Sequence, residues 1–126
     1  MRVLIADGNE AIREILSEIL TAGGCEVQAV GSVDSAVRET SSFRPDVIIL
    51  DNVMAARVAD SISAEQNIIV MVSADDIPYE GVAGVIQKPL KSADVFRTIC
   101  EVFPGVMKEG SESSIFDTLF RKEEPA

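Results

Sequence analysis

The stretch Pro45-Asp46-Val47-Ile48-Ile49-Leu50-Asp51 decides the fold of this chain. Its central residues are all aliphatic, without the alternation of apolar and polar residues that marks a strand with one face in water. A continuous run of Val, Ile and Leu is typical of a parallel strand that is buried on both faces. The run therefore predicts a buried strand of an α/β protein, with Asp51 at its carboxyl end.

Four further apolar segments occur along the chain, and amphipathic segments lie between them. The apolar segments cover residues 3–6, 27–30, 68–72 and 85–86. In the first amphipathic segment, residues 12, 15, 16, 19 and 20 are Ile or Leu and share one helical face. The repeated order of strand and helix predicts an α/β fold with a parallel sheet, and an arrangement with this element order is the flavodoxin-like (βα)5 type. Its five-stranded parallel sheet would have the order 2-1-3-4-5, with helices on both faces.

Turn and capping residues predict where some of the helices begin and end. The pair Gly23-Gly24 is expected to end the first helix, because glycine is the usual residue just past a helix C-terminus. Ser32 is expected to cap the second helix and Ser92 the last one, because a serine side chain can accept a hydrogen bond from a free amide of the first turn.

The third and fourth helices have little room. Only 16 residues lie between Asp51 and Ile68, and they must hold a loop as well as a helix. Only 14 residues lie between Ser73 and Lys88, and they include a proline at position 78. We therefore expect both helices to be shortened, and the fourth to be a single turn or absent.

Composition excludes several classes of function. The chain has 126 residues, of which 47% are hydrophobic and 25% charged, as expected for one soluble domain. A formal net charge of −10 disfavours nucleic acid as a partner. The absence of histidine argues against common zinc sites and histidine acid–base catalysis. The sequence shows no signal peptide and no membrane-spanning apolar run, so we expect a cytoplasmic protein without membrane association. Cys25 and Cys100 fit no metal-binding spacing, and we expect both to be reduced thiols.

Polar residues follow four of the predicted strands, and together they suggest a site. These residues are Asp7, Asp51, Ser73 and Lys88. In open parallel sheets, ligands bind beyond the carboxyl ends of the strands, where the strand order reverses. Two carboxylates there can hold Mg²⁺, and a carboxylate can also attack phosphorus. An ammonium group and a hydroxyl can take the oxygens of a transferred phosphoryl group. Each residue alone is more often a turn, a cap or a solvated loop residue, but the combination favours a phosphoryl-transfer site.

The sequence resembles the response-regulator receiver family, in its chemotaxis-regulator-like form, from about Arg2 to Phe103. The resembling stretches are Val3 to Asp7 with Ile12-Arg13 behind it, Pro45 to Asp51, Ile69 to Ala74, and Lys88-Pro89-Leu90.

The resemblance implies a role for each site residue. Asp51 would be the phosphoacceptor, Lys88 would contact the phosphoryl group, and Ser73 would be the switch hydroxyl. Asp7, Asp51 and the Val53 carbonyl would bind Mg²⁺. The phosphoryl donor would be a histidine kinase or a phosphotransfer protein. Such a protein is not a conventional enzyme, although it promotes its own phosphorylation and dephosphorylation.

The sequence departs from the family pattern at several positions. Gly8 stands where the family usually has a second acidic residue, so Mg²⁺ binding is expected to be weak. Ala55 replaces a proline, and Val58-Ala59 replaces Asp-Gly. Val85 replaces an aromatic residue that moves inward on activation.

These departures leave three functions open. The first is a working phosphoacceptor in two-component signal transduction, which the retained Asp51, Ser73 and Lys88 favour. The second is a pseudo-receiver that serves as an interaction module and is not phosphorylated. A remote third is a small flavodoxin-like binder of nucleotide or flavin, although neither G-x-G-x-x-G nor a Walker-type motif is present.

The chain is expected to divide into a receiver domain at 1–104 and an acidic, Ser-rich tail at 105–126. The tail carries Ile115, Phe116, Leu119 and Phe120, which would lie on one face of a short helix or belong to a disordered end. Output would go through a downstream protein partner. A homodimer is possible, but the sequence does not determine the oligomeric state.

Overall fold

A five-stranded parallel sheet forms the centre of the protein, in a computed structural model that describes residues 1–61 and 67–103. The strands are β1 (Arg2–Ala6), β2 (Glu26–Val30), β3 (Val47–Asp51), β4 (Asn67–Val72) and β5 (Gly84–Gln87). Their order is β2-β1-β3-β4-β5, and each neighbouring pair is parallel. The predicted flavodoxin-like order is confirmed.

Four helices cover this sheet within the described residues: α1 (Glu10–Ala22), α2 (Val33–Phe43), α3 (Asn52–Ala59) and α4 (Ser92–Val102). The third helix has only eight residues, as its short segment predicted. No helix lies between β4 and β5, where the sequence predicted a single turn or none. None of the described helices is long and apolar enough to cross a membrane.

The inner strands β1, β3 and β4 are largely buried on both faces, which explains why they read as continuous apolar runs. Along β3, Val47 and Ile49 belong to the core on one face, and Ile48 and Leu50 to the core on the other. The first core also contains residues of α1 and α4, whereas the second contains residues of α2 and α3. Because side chains alternate along a strand, both sets must be apolar.

The N-termini of α1 and α2 are capped by side chains, whereas those of α3 and α4 are not. The Asn9 side chain accepts hydrogen bonds from the amides of Ala11 and Ile12, and α1 ends at the predicted Gly23. Ser32 caps α2 by accepting from the Ser35 amide at 3.2 Å, as predicted. The prediction for Ser92 was wrong: Lys91 holds the cap position without a side-chain hydrogen bond, and Ser92 is the first residue of α4.

The segment between β4 and β5 is an ordered loop rather than a helix, and it is called the β4–β5 loop below (residues 73–83). Pro78 lacks an amide hydrogen and disfavours helical backbone at Ile77, while Gly81 has a φ of 85°. Tyr79 and Val82 nevertheless pack against the core on the α2 and α3 side. The loop thus covers part of that face of the sheet.

The predicted domain boundary at residue 104 and the tail at 105–126 lie outside the described residues.

Candidate functional site

Two acidic residues meet at the carboxyl edge of the sheet because their strands are neighbours in register. Ala6 of β1 pairs with Leu50 of β3, so the residues that come next, Asp7 and Asp51, lie side by side. Asp51 is also the residue before α3 and has a side chain that is 22% exposed. The site therefore has one partly accessible carboxylate, beside a second that is almost fully buried at 4% exposure.

Lys88 joins these two carboxylates. Its Nζ lies 3.3 Å from Asp51 Oδ1 and 3.5 Å from Asp7 Oδ2. The main chain brings it there, because the Lys88 amide donates to the Val72 carbonyl at 2.8 Å and continues the pairing of β5 with β4. One ammonium group is therefore shared by two carboxylates, which offsets part of the cost of keeping both charges away from water.

Asp7 is held by its own turn. Its Oδ1 accepts from the Asn9 amide at 2.8 Å, and its main-chain carbonyl accepts from the Arg13 guanidinium at 2.8 Å. The Arg13 side chain passes so close to Gly31 that a Cβ there would lie 3.0 Å from Nη1. The carboxylate position of Asp7 is consequently fixed from both β1 and α1.

The second oxygen of Asp7 fits a cation-binding site. Oδ2 is buried, and among the described residues it has no hydrogen-bond donor, although Lys88 lies at ion-pair distance. Asp7 and Asp51 together offer the hard oxygen ligands that Mg²⁺ prefers. Val53 is the second residue of α3, so its carbonyl points along the helix axis toward the C-terminus and away from Asp51, which precedes the helix. Two carboxylates thus fit the ion, with fewer charges than a triple-acid site would provide.

Gly8 leaves open space beside Asp7. A Cβ built on Gly8 would have no heavy atom within 4 Å, and its backbone does not have the positive φ that would require glycine. Gly8 also borders an open depression of about 460 Å³ that reaches Asp51 and is lined by Gly31, Ser32, Val53 and Arg57 as well. The missing acidic side chain therefore leaves a gap in the wall of the site, and neighbouring residues do not fill it.

Ser73 lies at the same edge of the sheet but does not join the ion-pair cluster. It directly follows β4 and is exposed. Its amide donates to Asp76 Oδ2 at 2.8 Å, and the Asp76 amide donates back to the Ser73 carbonyl at 3.0 Å. Among the contacts that the described residues make, none links the Ser73 hydroxyl to Asp51 or Lys88.

Asn52 is a polar residue of the site that sequence reasoning missed. Its side-chain Nδ2 donates to the Ile77 carbonyl at 2.9 Å, and its Oδ1 accepts from the Tyr79 amide at 2.8 Å. It follows Asp51 directly, and an Asn at the start of a helix is usually interpreted as a cap. The sequence contains no signal for a contact to a segment 25 positions away.

Comparisons with known proteins bear on this arrangement. The family model described as the response regulator receiver domain matches residues 3–99. A search of the curated proteins gives no match.

Solved structures share the fold. A response regulator receiver domain protein from Clostridium thermocellum superposes with a TM-score of 0.72 at 18% identity, covering 82% of this chain and 94% of that one. The receiver domain of a modulated diguanylate cyclase from Desulfovibrio desulfuricans G20 gives 0.67 at 24% identity, covering 86% and 98%. The chemotaxis response regulator CheY4 of Vibrio cholerae gives 0.67 at 24% identity, covering 81% and 98%. At these identities the likeness concerns the fold alone.

Proposed function

Because the chain belongs to the response regulator receiver domain family of two-component systems, we propose that it accepts a phosphoryl group on Asp51. The observation that carries the proposal is the position of Lys88, whose Nζ lies 3.3 Å from Asp51 Oδ1 and 3.5 Å from Asp7 Oδ2. An ammonium group between two carboxylates is suited to bind an anionic group that arrives on one of them.

In the proposed reaction, a carboxylate oxygen of Asp51 attacks the phosphorus of a phosphohistidine on a histidine kinase or phosphotransfer protein. A P–O bond to Asp51 forms as the P–N bond to the donor imidazole breaks, and that nitrogen keeps the bonding electron pair. The product is an acyl phosphate. The partial exposure of Asp51 and the open depression beside it are what a macromolecular donor needs for access.

The other residues position and neutralise charge. Lys88 would move from the Asp51 carboxylate to an oxygen of the phosphoryl group, since both lie on the same side chain. Ser73 would offer its hydroxyl to another oxygen from the end of β4. A magnesium ion held by Asp7 and Asp51 would supply positive charge for the phosphoryl oxygens, and the Val53 carbonyl would join these ligands only with a rearrangement of the first turn of α3. Catalysis of this kind depends on placement and electrostatics, so the protein promotes its own phosphorylation and dephosphorylation without being a conventional enzyme.

We further propose that the protein works in the cytoplasm and passes its signal to a downstream protein partner. The surface near Asp51 that a partner could contact includes the side chains of Val53 and Ile77, which are 79% and 87% exposed. The net charge of −10 disfavours nucleic acid as that partner. A homodimer is one form that the active state could take.

One observation favours the alternative of a pseudo-receiver, an interaction module that is not phosphorylated. The donor set contains two carboxylates, and the described residues hold no cluster of three acidic, Cys or His side chains suited to a metal ion. If Mg²⁺ binds too weakly to assist transfer, the fold would persist as a binding surface with Lys88 as a structural partner of Asp51.

The test is intact-mass spectrometry after incubation with acetyl phosphate and Mg²⁺. We expect an adduct of one phosphoryl group on the parent protein and none on Asp51→Asn. Asp46→Asn is the matched control, since Asp46 precedes the same strand at its opposite end and accepts a hydrogen bond from the Arg2 amide. It should be phosphorylated like the parent. Absence of an adduct on the parent at high Mg²⁺ would reject the phosphoacceptor and leave the pseudo-receiver.

A further inference from the structure

Asn52 directly follows Asp51, the proposed phosphoacceptor, and its side chain connects this segment with the β4–β5 loop. The Asn52 side-chain amide pairs with the loop main chain as a backbone peptide group would. Its Nδ2 donates to the Ile77 carbonyl, and its Oδ1 accepts from the Tyr79 amide. Both hydrogen bonds are short, at 2.9 and 2.8 Å. Because Asn52 is covalently joined to Asp51, any shift of the phosphoacceptor segment acts directly on these two bonds.

The loop depends on Asn52 for its attachment. It lacks the internal hydrogen bonds of a helix, and its main chain is tied elsewhere by the turn between Ser73 and Asp76 and by the Ala83 amide, which donates to the Ile68 carbonyl. Between Asp76 and Ala83, two hydrogen bonds in the described residues join the loop main chain to the Asn52 side chain, one to the Ile77 carbonyl and one from the Tyr79 amide. Removing them would leave the middle of the loop held mainly by the packing of Tyr79 and Val82.

The loop is also the acidic neighbour of the phosphoacceptor. Asp75, Asp76 and Glu80 lie on it and are exposed. A phosphoryl group brings a charge of about −1.5 to −2 to its site. Like charges repel, so a phosphoryl group on Asp51 would weaken the hold of this loop, and the two hydrogen bonds of the neutral Asn52 amide would oppose its release.

We propose that Asn52 is a positioning residue that holds the β4–β5 loop closed before phosphorylation and releases it afterwards. This inference rests on the proposed function of Asp51. Release frees the Ile77 carbonyl and the Tyr79 amide and loosens the contact of Tyr79 with the core. The loop is then the element that reports phosphorylation to a partner.

The experiment is hydrogen exchange by mass spectrometry on peptides that cover residues 77–82, in the full chain with and without acetyl phosphate and Mg²⁺. In the unphosphorylated state, Asn52→Ala should exchange about tenfold faster than the parent, because two net-stabilising hydrogen bonds are lost. Phosphorylation should speed exchange in the parent toward the value of Asn52→Ala. In Asn52→Ala itself, phosphorylation should change exchange by less than about twofold.

Asn67→Ala is the matched control. The Asn67 side chain also donates to a main-chain carbonyl, that of Asp46 at 3.1 Å, but at the opposite edge of the sheet. It should leave both loop exchange and its response to phosphorylation as in the parent. If Asn52→Ala does not fold, Asn52→Asp removes the donor to Ile77 and should also speed exchange. As a second readout, Tyr79 is the single tyrosine in a chain without tryptophan, so acrylamide quenching of its fluorescence should rise when the loop opens.

The outcomes separate the two proposals. Loop exchange that is the same in Asn52→Ala and the parent would refute the role of Asn52. A phosphoryl adduct on the parent without a change in loop exchange would refute the coupling and leave the phosphoacceptor intact. No adduct on the parent would reject the proposed function, and this inference with it.

Discussion

Restoring an acidic residue at position 8 should strengthen Mg²⁺ binding. Gly8 follows the buried Asp7, and a Cβ added to it would meet no heavy atom within 4 Å. Its φ is not in the left-handed region, so an aspartate fits the existing backbone. Gly8→Asp therefore adds a third carboxylate to Asp7 and Asp51 without displacing a neighbour.

The size of the effect follows from Coulomb's law at an exposed position. Two unit charges about 4 Å apart attract by about 1 kcal/mol in water, so a divalent cation and one new carboxylate gain about 2 kcal/mol. Repulsion between the new carboxylate and Asp7, together with ionic screening, reduces this gain. We expect the Mg²⁺ dissociation constant of Gly8→Asp to fall by about tenfold, which corresponds to about 1.4 kcal/mol.

Isothermal titration calorimetry with MgCl₂ measures this constant directly. Gly8→Asn is the control, because it has nearly the same shape as Gly8→Asp and no charge. The parent and Gly8→Asn should bind alike, and Gly8→Asp more tightly. Equal affinity of Gly8→Asp and Gly8→Asn would show that charge at position 8 does not act on the ion, and the assignment of Asp7 and Asp51 as its ligands would be refuted.

Two further predictions concern the rest of the domain. Gly84→Ala should lower the free energy of unfolding by about 2 kcal/mol and the melting temperature by about 10 °C, because its Cβ would lie 2.9 Å from methyl groups of both Thr98 and Val102. Calorimetry measures this loss, and Gly8→Ala, whose Cβ meets no heavy atom within 4 Å, should not show it. An equal loss in both variants would refute the packing argument. Burial, and secondarily the charge of Glu101, raise the pKa of the Cys100 thiol above its ordinary value. Because thiolate is the reactive form, alkylation of Cys100 by iodoacetamide near pH 8.5 should be slow and should speed up in Glu101→Gln, as peptide mass mapping can measure. An unchanged alkylation rate in Glu101→Gln would contradict the charge effect. The folded state binds the Cys100 proton more tightly than the unfolded chain, so the thiol's contribution to stability is present below its ordinary pKa and is lost as the pH rises through the raised pKa of the folded state.

The fold was predictable because a doubly covered sheet demands apolar residues at every position of its inner strands. The run from Val47 to Leu50 shows this, since its alternate residues enter two different cores. The repeated strand–helix pattern predicted a parallel sheet, and the flavodoxin-like arrangement supplied its strand order. The end of α1 at Gly23 also followed from a local rule, and a Cβ there would overlap the Phe96 ring. The cap of α4 lies one residue earlier than predicted, at Lys91 rather than Ser92.

The candidate site was partly predictable for a topological reason. The residues after neighbouring parallel strands end at one edge of the sheet, so Asp7, Asp51 and Lys88 could be grouped before any distance was known. The contacts of Asn52 and Asp76 could not be predicted, because they depend on the path of an irregular loop. Pro78 and its neighbours indicate that a helix is unfavourable there, but they do not determine where the loop lies.

The charges of the site would link Mg²⁺ binding to the proposed phosphorylation of Asp51. Before transfer, Asp7, Asp51 and Lys88 carry a formal net charge of −1. The proposed transfer would convert the Asp51 carboxylate to an acyl phosphate with a charge of about −2, so the site would then carry about −2. A divalent cation would therefore gain more from the phosphorylated site than from the free one, even without an acidic residue at position 8. By linkage, Mg²⁺ that binds the product more tightly must also favour its formation. A weak ion site in the free protein is thus compatible with a working phosphoacceptor.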